Sequence, residues 1–89
     1  MDIISTLEII SNLESKCDEL KIKIKVAKYF IKNENCKLVH RVVFYFLATT
    51  GNWIRVIKSY PVKYSIEDIC LAITSEVAST NAIIDLLEP

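Results

Sequence analysis

The chain has 89 residues, of which 52% are hydrophobic and 25% are charged, and it contains a single glycine. This composition excludes a disordered or low-complexity segment and favours one small globular domain, or a part of one. Eleven basic and eleven acidic residues give a formal net charge of zero at pH 7. Because the apolar fraction is high for so short a chain, we expect a homodimer or another protein partner.

The charges are segregated along the sequence. Residues 1–20 carry five acids and one lysine, residues 21–63 carry ten cations and Glu34 as their single acid, and the tail from Tyr64 is acidic again. Such a basic middle segment suits either phosphate groups or the acidic ends of a partner chain.

The residues that usually carry chemistry are few. Cys17, Cys36 and Cys70 are far apart, which predicts reduced thiols in an intracellular compartment and no metal site. His40 has no triad-like neighbours, and a chain whose only glycine is Gly51 has no glycine-rich phosphate loop. We expect no enzymatic activity, no cofactor and no small-molecule substrate. No apolar run reaches the ~18–20 residues that cross a bilayer, so we expect no membrane partner.

The first third of the chain has a heptad repeat. Apolar or thiol side chains recur every seven residues in two registers over four heptads. This pattern predicts a long, coiled-coil-like dimerisation helix over residues 1–34. An ordinary core helix is the alternative, and the β-branched residues of IKIKV also allow a short strand near residues 22–26. The predicted dimer seam consists of Ile10, Leu13, Cys17, Leu20 and Ile24.

The middle of the chain is the most apolar part. The segment KLVHRVVFYFLATTGN, residues 37–52, favours a buried helix that ends at Gly51 in the left-handed conformation, although VVFYF could also be a strand. Residues 53–64 surround Pro61, which predicts a short edge hairpin or an extended connector.

The last segment, SIEDICLAITSEVASTNAIIDLL, predicts two short amphipathic helices. Ser65 is a good N-cap and Asp68 completes a capping box, whereas Thr74 and Ser75 suit a turn between the helices. This is a helix-turn-helix layout. The predicted fold class is therefore mainly α, with residues 1–34 as a dimerisation helix and residues 35–89 as a helix-turn-helix-like domain with a short extended connector.

The element order and apolar skeleton of residues 10–87 carry a resemblance to a known family. Its markers are SIEDI, which opens the first helix of the pair, Ile73, which closes it, and Ser75, Ser79, Thr80, Ile83, Ile84 and Leu87 in the second. In these features the chain resembles the DNA-binding half of the CRP/FNR transcription regulators, and most of all the nitrogen-regulator branch of cyanobacteria and plastids. The resemblance implies a dimeric transcription regulator of the cytoplasm or plastid stroma, whose second helix enters the major groove.

The chain departs from that family where DNA bases are read. Val77 and Ala82 stand where the family typically has arginines, and we expect no effector-binding domain beside these helices. A small helical adaptor or inhibitor of viral or mobile-element origin, which binds protein instead of DNA, is the alternative. Trp53 and Tyr60 flank basic residues and suit either base stacking or a core position. The predicted DNA contacts are Arg41, Arg55, Lys58, Lys63, Ser75, Ser79, Thr80 and Asn81.

Overall fold

The protein is an α+β domain with two helices and a three-stranded sheet, so the predicted mainly α fold class is wrong. The computed structural model describes residues 3–87, with side chains from residue 5 onward. The strands form one antiparallel sheet in the order β1-β2-β3, so each strand pairs with the next one along the chain. The elements are α1 (Ile3–Glu19), β1 (Ile24–Glu34), β2 (Lys37–Leu47), β3 (Trp53–Pro61) and α2 (Ile66–Leu87).

The long N-terminal helix predicted over residues 1–34 is wrong, because α1 ends at Glu19 and β1 begins at Ile24. Alternation of buried Ile24 and Val26 with exposed Lys25 is the period of a strand. The heptad pattern is compatible with a strand because β1 contains a β-bulge between Val26 and Lys28. Residues seven apart normally lie on opposite faces of a strand, but the extra residue of the bulge brings Ile24 and Ile31 to the same face.

The helix predicted over residues 37–52 is also wrong, because Lys37–Leu47 is the central strand β2. Val42 and Phe44 are buried under the helices, and Val43 on the other face is shielded by its cross-strand neighbours Lys28 and Ile57, so the sequence shows no alternation here. Gly51 has the expected left-handed backbone, with a φ of 91°, but it lies in the turn between β2 and β3. The extended conformation predicted around Pro61 is confirmed, since β3 is an edge strand that ends at this residue.

The helix-turn-helix is wrong as well, because α2 is one continuous helix of 22 residues. Its predicted start is confirmed. The backbone N–H of Asp68 donates to Ser65 Oγ at 3.1 Å, and the N–H of Ser65 donates to Asp68 Oδ2 at 3.0 Å. Thr74, expected in a turn, donates its hydroxyl to the Cys70 carbonyl one turn earlier at 2.8 Å. That bond accommodates a threonine inside the helix, and residues 75–87 contain no glycine or proline that would end it.

Both helices pack against one face of the sheet and form a single core with it. Its fully buried members include Leu13 and Cys17 of α1, Phe44 of β2 and Ile73 of α2. The residues of the predicted coiled-coil seam therefore do not share one helix surface. Leu13, Cys17 and Ile24 are buried in the chain's own core, Ile10 packs at its margin, and Leu20 is exposed after α1. The predicted domain boundary, between residues 34 and 35, falls in the turn that joins β1 to β2.

Among the described helices, α2 alone is long and apolar enough to cross a membrane by length and composition, although only 22% of its most apolar window is buried. The expectation that no segment meets that length is therefore wrong for α2. Core helices of soluble proteins meet the same criterion.

Candidate functional site

The helices leave one face of the sheet uncovered. The strand register aligns side chains on this face in rungs across the three strands, such as Lys25, Tyr45 and Arg55. Val43 is buried on this side, and it is separate from the core cluster under the helices. We call this surface the open face. It consists of Lys25, Lys28, Phe30, Lys32, Glu34, Lys37, Val39, Arg41, Val43, Tyr45, Leu47, Trp53, Arg55, Ile57, Ser59 and Pro61.

The β-bulge in β1 places several cations on the open face. Lys25 and Lys28 are three residues apart and would alternate between faces in a regular strand, but the bulge turns both of them to the open face. At the same point the Val26 N–H, on the outer edge of β1, donates to Glu14 Oε2 at 2.8 Å. This bond ties α1 to the edge of the sheet and occupies a donor that another strand would otherwise use.

The two layers of the domain carry opposite charge. Over the described ranges, each helix contains four acids, and the only cation in either helix is Lys16. The strands contain Glu34 as their only acid, and its Oε2 lies 3.5 Å from Arg41 Nη1 and accepts the Ser59 hydroxyl at 3.1 Å. Although the net charge of the protein is zero, its sheet is therefore positive and its helical layer is negative. The strand cations are Lys25, Lys28, Lys32, Lys37, Arg41, Arg55 and Lys58.

Three aromatic side chains stand among the cations of the open face. Phe30 is 42% exposed, Trp53 is 40% exposed and Tyr45 is partly buried. Tyr45 occupies the central strand between Lys25 and Arg55, and Trp53 is its diagonal neighbour on β3, at the ~7–8 Å typical of such pairs. Lys25 Nζ lies 4.9 Å from the centroid of the Trp53 ring. The open face thus combines aromatic rings with positive charges.

The predicted DNA contacts are only partly brought together. Arg41 and Arg55 lie on the open face. Lys58 points to the helical layer, where its Nζ is 3.4 Å from Glu76 Oε2, and Lys63 follows β3 in the connection to α2. The four predicted contacts on α2 lie on the opposite layer from the open face. Of these, Ser75 and Ser79 are exposed, Thr80 is partly buried, and Asn81 Oδ1 accepts the Thr49 N–H at 3.2 Å.

Sequence reasoning missed Lys25, Lys28, Phe30, Lys32 and Tyr45. Read as a strand, KIKVAKYFIK places Lys28, Phe30 and Lys32 on one face by alternation, but Lys25 joins them only through the bulge, and Tyr45 lies on the next strand. Trp53, one of the two proposed stacking residues, is on the open face. Tyr60, the other one, is buried under the helices, where burial and the nearby Glu76 raise its pKa.

His40 has a structural role at the end of the sheet. Its Nδ1 lies 2.6 Å from the Tyr29 hydroxyl, and its Nε2 lies 3.0 Å from the Val62 carbonyl oxygen and 3.1 Å from that of Tyr64. A hydrogen on Nε2 would be shared between these two carbonyl oxygens, and Nδ1 would then accept the Tyr29 hydroxyl. The arrangement fixes the connection between β3 and α2.

The thiols are free, and two of them are buried between the helices. Cys70 Sγ lies 3.6 Å from the Leu13 carbonyl oxygen, and burial raises the pKa of Cys17 to about 12, with the neighbouring Cys70 adding to the shift. Cys36 is exposed in the turn after β1. The buried thiols therefore stay protonated at neutral pH.

Comparison with protein-family models, curated proteins and solved structures found no match to this chain. Within the described residues, no group of three or more His, Cys, Asp or Glu side chains is placed to hold a metal ion. The open face is the surface on which cations and exposed aromatic rings converge.

Proposed function

We propose that this protein binds single-stranded nucleic acid across the open face of its sheet. The observation that carries the proposal is the combination of Lys25, Lys28 and Arg55 with the rings of Tyr45 and Trp53 on one surface. Single-strand binding sites combine a positive surface that follows the phosphates with aromatic side chains on which bases stack.

Two of the cations and two of the aromatic rings occupy different parts of the open face, so they would contact different parts of the nucleic acid. Lys28 and Lys32 lie along one edge strand, where flexible ammonium groups can meet successive phosphates without reading sequence. Tyr45 and Trp53 are the rings on which bases would stack at the other end of the open face, where Lys25 Nζ now lies over the Trp53 ring. A base inside a duplex is already stacked on its neighbours, so this use of the rings requires a single strand.

The acidic helical layer also favours binding of a polyanion at the open face. The acids of α1 and α2 repel a polyanion from the opposite side of the domain, so it can approach only the sheet. The one acid on the sheet, Glu34, is already held by Arg41 and Ser59. A neutral protein can thus bind a polyanion without an overall basic composition.

The chain offers a direct probe, because Trp53 is its only tryptophan. We expect an oligonucleotide of about 12 bases, within the usual site size of such surfaces, to change the Trp53 emission as it binds. The affinity should fall as salt rises, with a logarithmic slope of about 0.7 for each phosphate neutralised. Oligo-U and oligo-dT would distinguish RNA from DNA, and a duplex of equal length should bind more weakly.

Charge-matched variants locate the binding surface. Lys28→Gln combined with Lys32→Gln removes two cations from the open face, whereas Lys16→Gln combined with Lys58→Gln removes two that pair with acids of α2. We expect the first pair to lower the affinity and the salt slope, and the second pair to leave both near the values of the unmodified protein. Equal losses in both variants, or no binding at low salt, would contradict the proposal.

The same titration tests the alternative of a protein-binding module. An acidic protein segment held by charge alone would compete with the oligonucleotide and weaken with salt, but it would not need the aromatic rings. Salt-dependent binding that is unaffected by Tyr45→Leu, a variant that keeps the Trp53 signal, would therefore favour a protein partner.

A further inference from the structure

The sheet has a step where β3 ends. The last pair between β2 and β3 joins Val39 to Pro61, whereas β2 begins two residues earlier, at Lys37, where it still pairs with β1. The chain turns after Pro61, and the Tyr64 N–H donates to the Pro61 carbonyl oxygen at 2.9 Å. A surface cavity of about 770 Å³ lies at this step, within the ~300–1,000 Å³ range of ligand sites. We call this cavity the notch, and its lining includes Lys37, Leu38, Val39, Pro61, Val62 and Lys63.

The notch combines apolar and cationic side chains. Leu38 and Val62 both line it and are 53% and 49% exposed. Lys37 comes from β2 and Lys63 from the connection after β3, and neither lysine forms an ion pair with another described residue. The lining residues include no acid. This chemistry suits an apolar group with negative charge beside it, as in a nucleobase and its phosphates.

One wall of the notch is held in place by the chain itself. The Val62 carbonyl oxygen lies 3.0 Å from His40 Nε2, and the other ring nitrogen of His40 lies 2.6 Å from the Tyr29 hydroxyl. These contacts fix the segment that follows β3 against the sheet. Because the wall is ordered before a ligand arrives, binding does not have to pay for ordering it.

The notch lies at the end of a continuous row of cations on the open face. The rings of Tyr45 and Trp53 occupy the opposite end of this face, and the rung that contains Val39 and Pro61 borders the notch. Each rung from Tyr45 to the notch contains at least one cation, so a strand can have its phosphates neutralised along the whole path. In order toward the notch, these cations are Lys25 with Arg55, then Lys28, Arg41 and Lys32.

We propose that the notch binds one nucleobase of the single strand that crosses the open face, with Lys37 and Lys63 neutralising the adjacent phosphates. The inference rests on the proposed function and adds to it a base-binding position at the end of the sheet opposite the rings. Leu38 and Val62 contact the base and offer no hydrogen bond to its edges. The notch therefore accepts any of the four bases.

Leu38→Glu tests the notch, because it removes an apolar side chain from the lining and adds an acid beside the two lysines. Leu71→Glu is the matched control, since it makes the same substitution at a leucine of α2 that is 60% exposed on the opposite layer. With oligo-dT of about 12 bases and Trp53 emission as the signal, we expect Leu38→Glu to weaken binding about tenfold, the loss of roughly one stacked base. Leu71→Glu should bind like the unmodified protein, and circular dichroism should show that both variants are folded.

The outcomes separate the notch from the proposed function. Unchanged affinity in Leu38→Glu would overturn the notch and leave binding on the open face in place. Equal losses in Leu38→Glu and Leu71→Glu would also overturn it, because the added charge would then act without a local site. No response of Trp53 in the unmodified protein would contradict the proposed function and the notch together.

The length of the oligonucleotide gives a second test. Lys37→Gln combined with Lys63→Gln should lower the salt slope for the 12-base strand by about 1.4, the contribution of two phosphates. A strand of about four bases, held at the rings, should bind this variant and the unmodified protein equally. Equal losses for the short and the long strand would overturn the proposal. Binding of dodecanoate that Leu38→Glu abolishes, with unchanged affinity for the 12-base strand, would assign the notch to an anionic amphiphile and overturn it as well.

Discussion

The two faces of the sheet are built from the same three strands, yet they differ in what covers them. On the covered face, Phe44 and Phe46 are fully buried under the helices. On the open face, Trp53 and Ile57 remain about two-fifths exposed among cations. Within β2 and β3, side chains on the covered face stabilise the fold, and the adjacent side chains on the open face are free to bind a partner. Neighbouring residues of one strand should therefore give opposite phenotypes.

The largest effect is expected at Phe44 and its neighbour Val43. Phe44→Ala should lower the free energy of unfolding by about 3–5 kcal/mol, because a large cavity opens in the core. Val43→Ala on the other face should cost about 1–2 kcal/mol, since it removes only two buried methyl groups from a shallower site. Urea unfolding measures both. Similar losses for the two variants would mean that the open face is covered by something in solution.

The covered layer should also govern stability at alkaline pH. Burial raises the pKa of Cys17 from 9.0 to about 12, so the folded state holds its proton more tightly than the unfolded state does. This contribution to stability is complete below pH 9 and is lost as the pH rises toward 12, at up to about 1.4 kcal/mol per pH unit.

Cys17→Ala removes this titrating group, and it should make the decline in unfolding free energy between pH 9 and 12 less steep. The same slope in both proteins would show that Cys17 does not contribute. Urea unfolding across this range compares them.

On the open face, the stacking ring should matter more for binding than for folding. Tyr45→Leu keeps an apolar side chain in the central strand but removes the ring, so oligonucleotide affinity should fall by about 1–3 kcal/mol. Tyr60→Phe is the control on the covered face. It removes a buried hydroxyl that has no hydrogen-bond partner within the described residues, so it should leave binding unchanged and stability equal or higher.

The smallest effects are expected for single lysines on opposite faces. Lys58→Gln breaks a partly exposed ion pair with Glu76 and should cost at most about 1 kcal/mol of stability, without affecting binding. Lys28→Gln should leave stability unchanged and lower the salt slope by about 0.7, the contribution of one phosphate. A loss of binding in Lys58→Gln that matches the loss in Lys28→Gln would contradict the division between the faces.

The features that the sequence predicts correctly depend on local chemistry. The capping box of Ser65 and Asp68, the left-handed Gly51 and the extended segment ending at Pro61 all follow from what these residues do in their own turn or strand end. The sequence predicts helices where β1 and β2 lie, and the reason is non-local. In β1, the bulge lets apolar residues seven apart share one face of a strand. In β2, contacts with the neighbouring strands bury residues on both faces, so the sequence does not alternate.

For the same reason, the sequence identifies only some of the residues on the open face. Arg41 and Arg55 could be singled out as cations in a basic segment, but the face that each side chain occupies depends on strand register. Lys58 was grouped with them although it lies on the other face, and Tyr45 was hidden within an apolar run taken as a helix. The division of Ser65 to Leu87 into two helices failed because the hydroxyl of Thr74 bonds within its own helix.

The separation of charge between the layers makes this neutral protein a strong electric dipole. Near its isoelectric point of about 6.6, copies at low ionic strength attract one another with the positive sheet of one against the negative helices of the next. Salt weakens this attraction, because the Debye length shrinks from about 30 Å at 0.01 M to about 10 Å at 0.1 M. The protein should therefore show salting-in, with a solubility near pH 6.6 that rises as salt is first added.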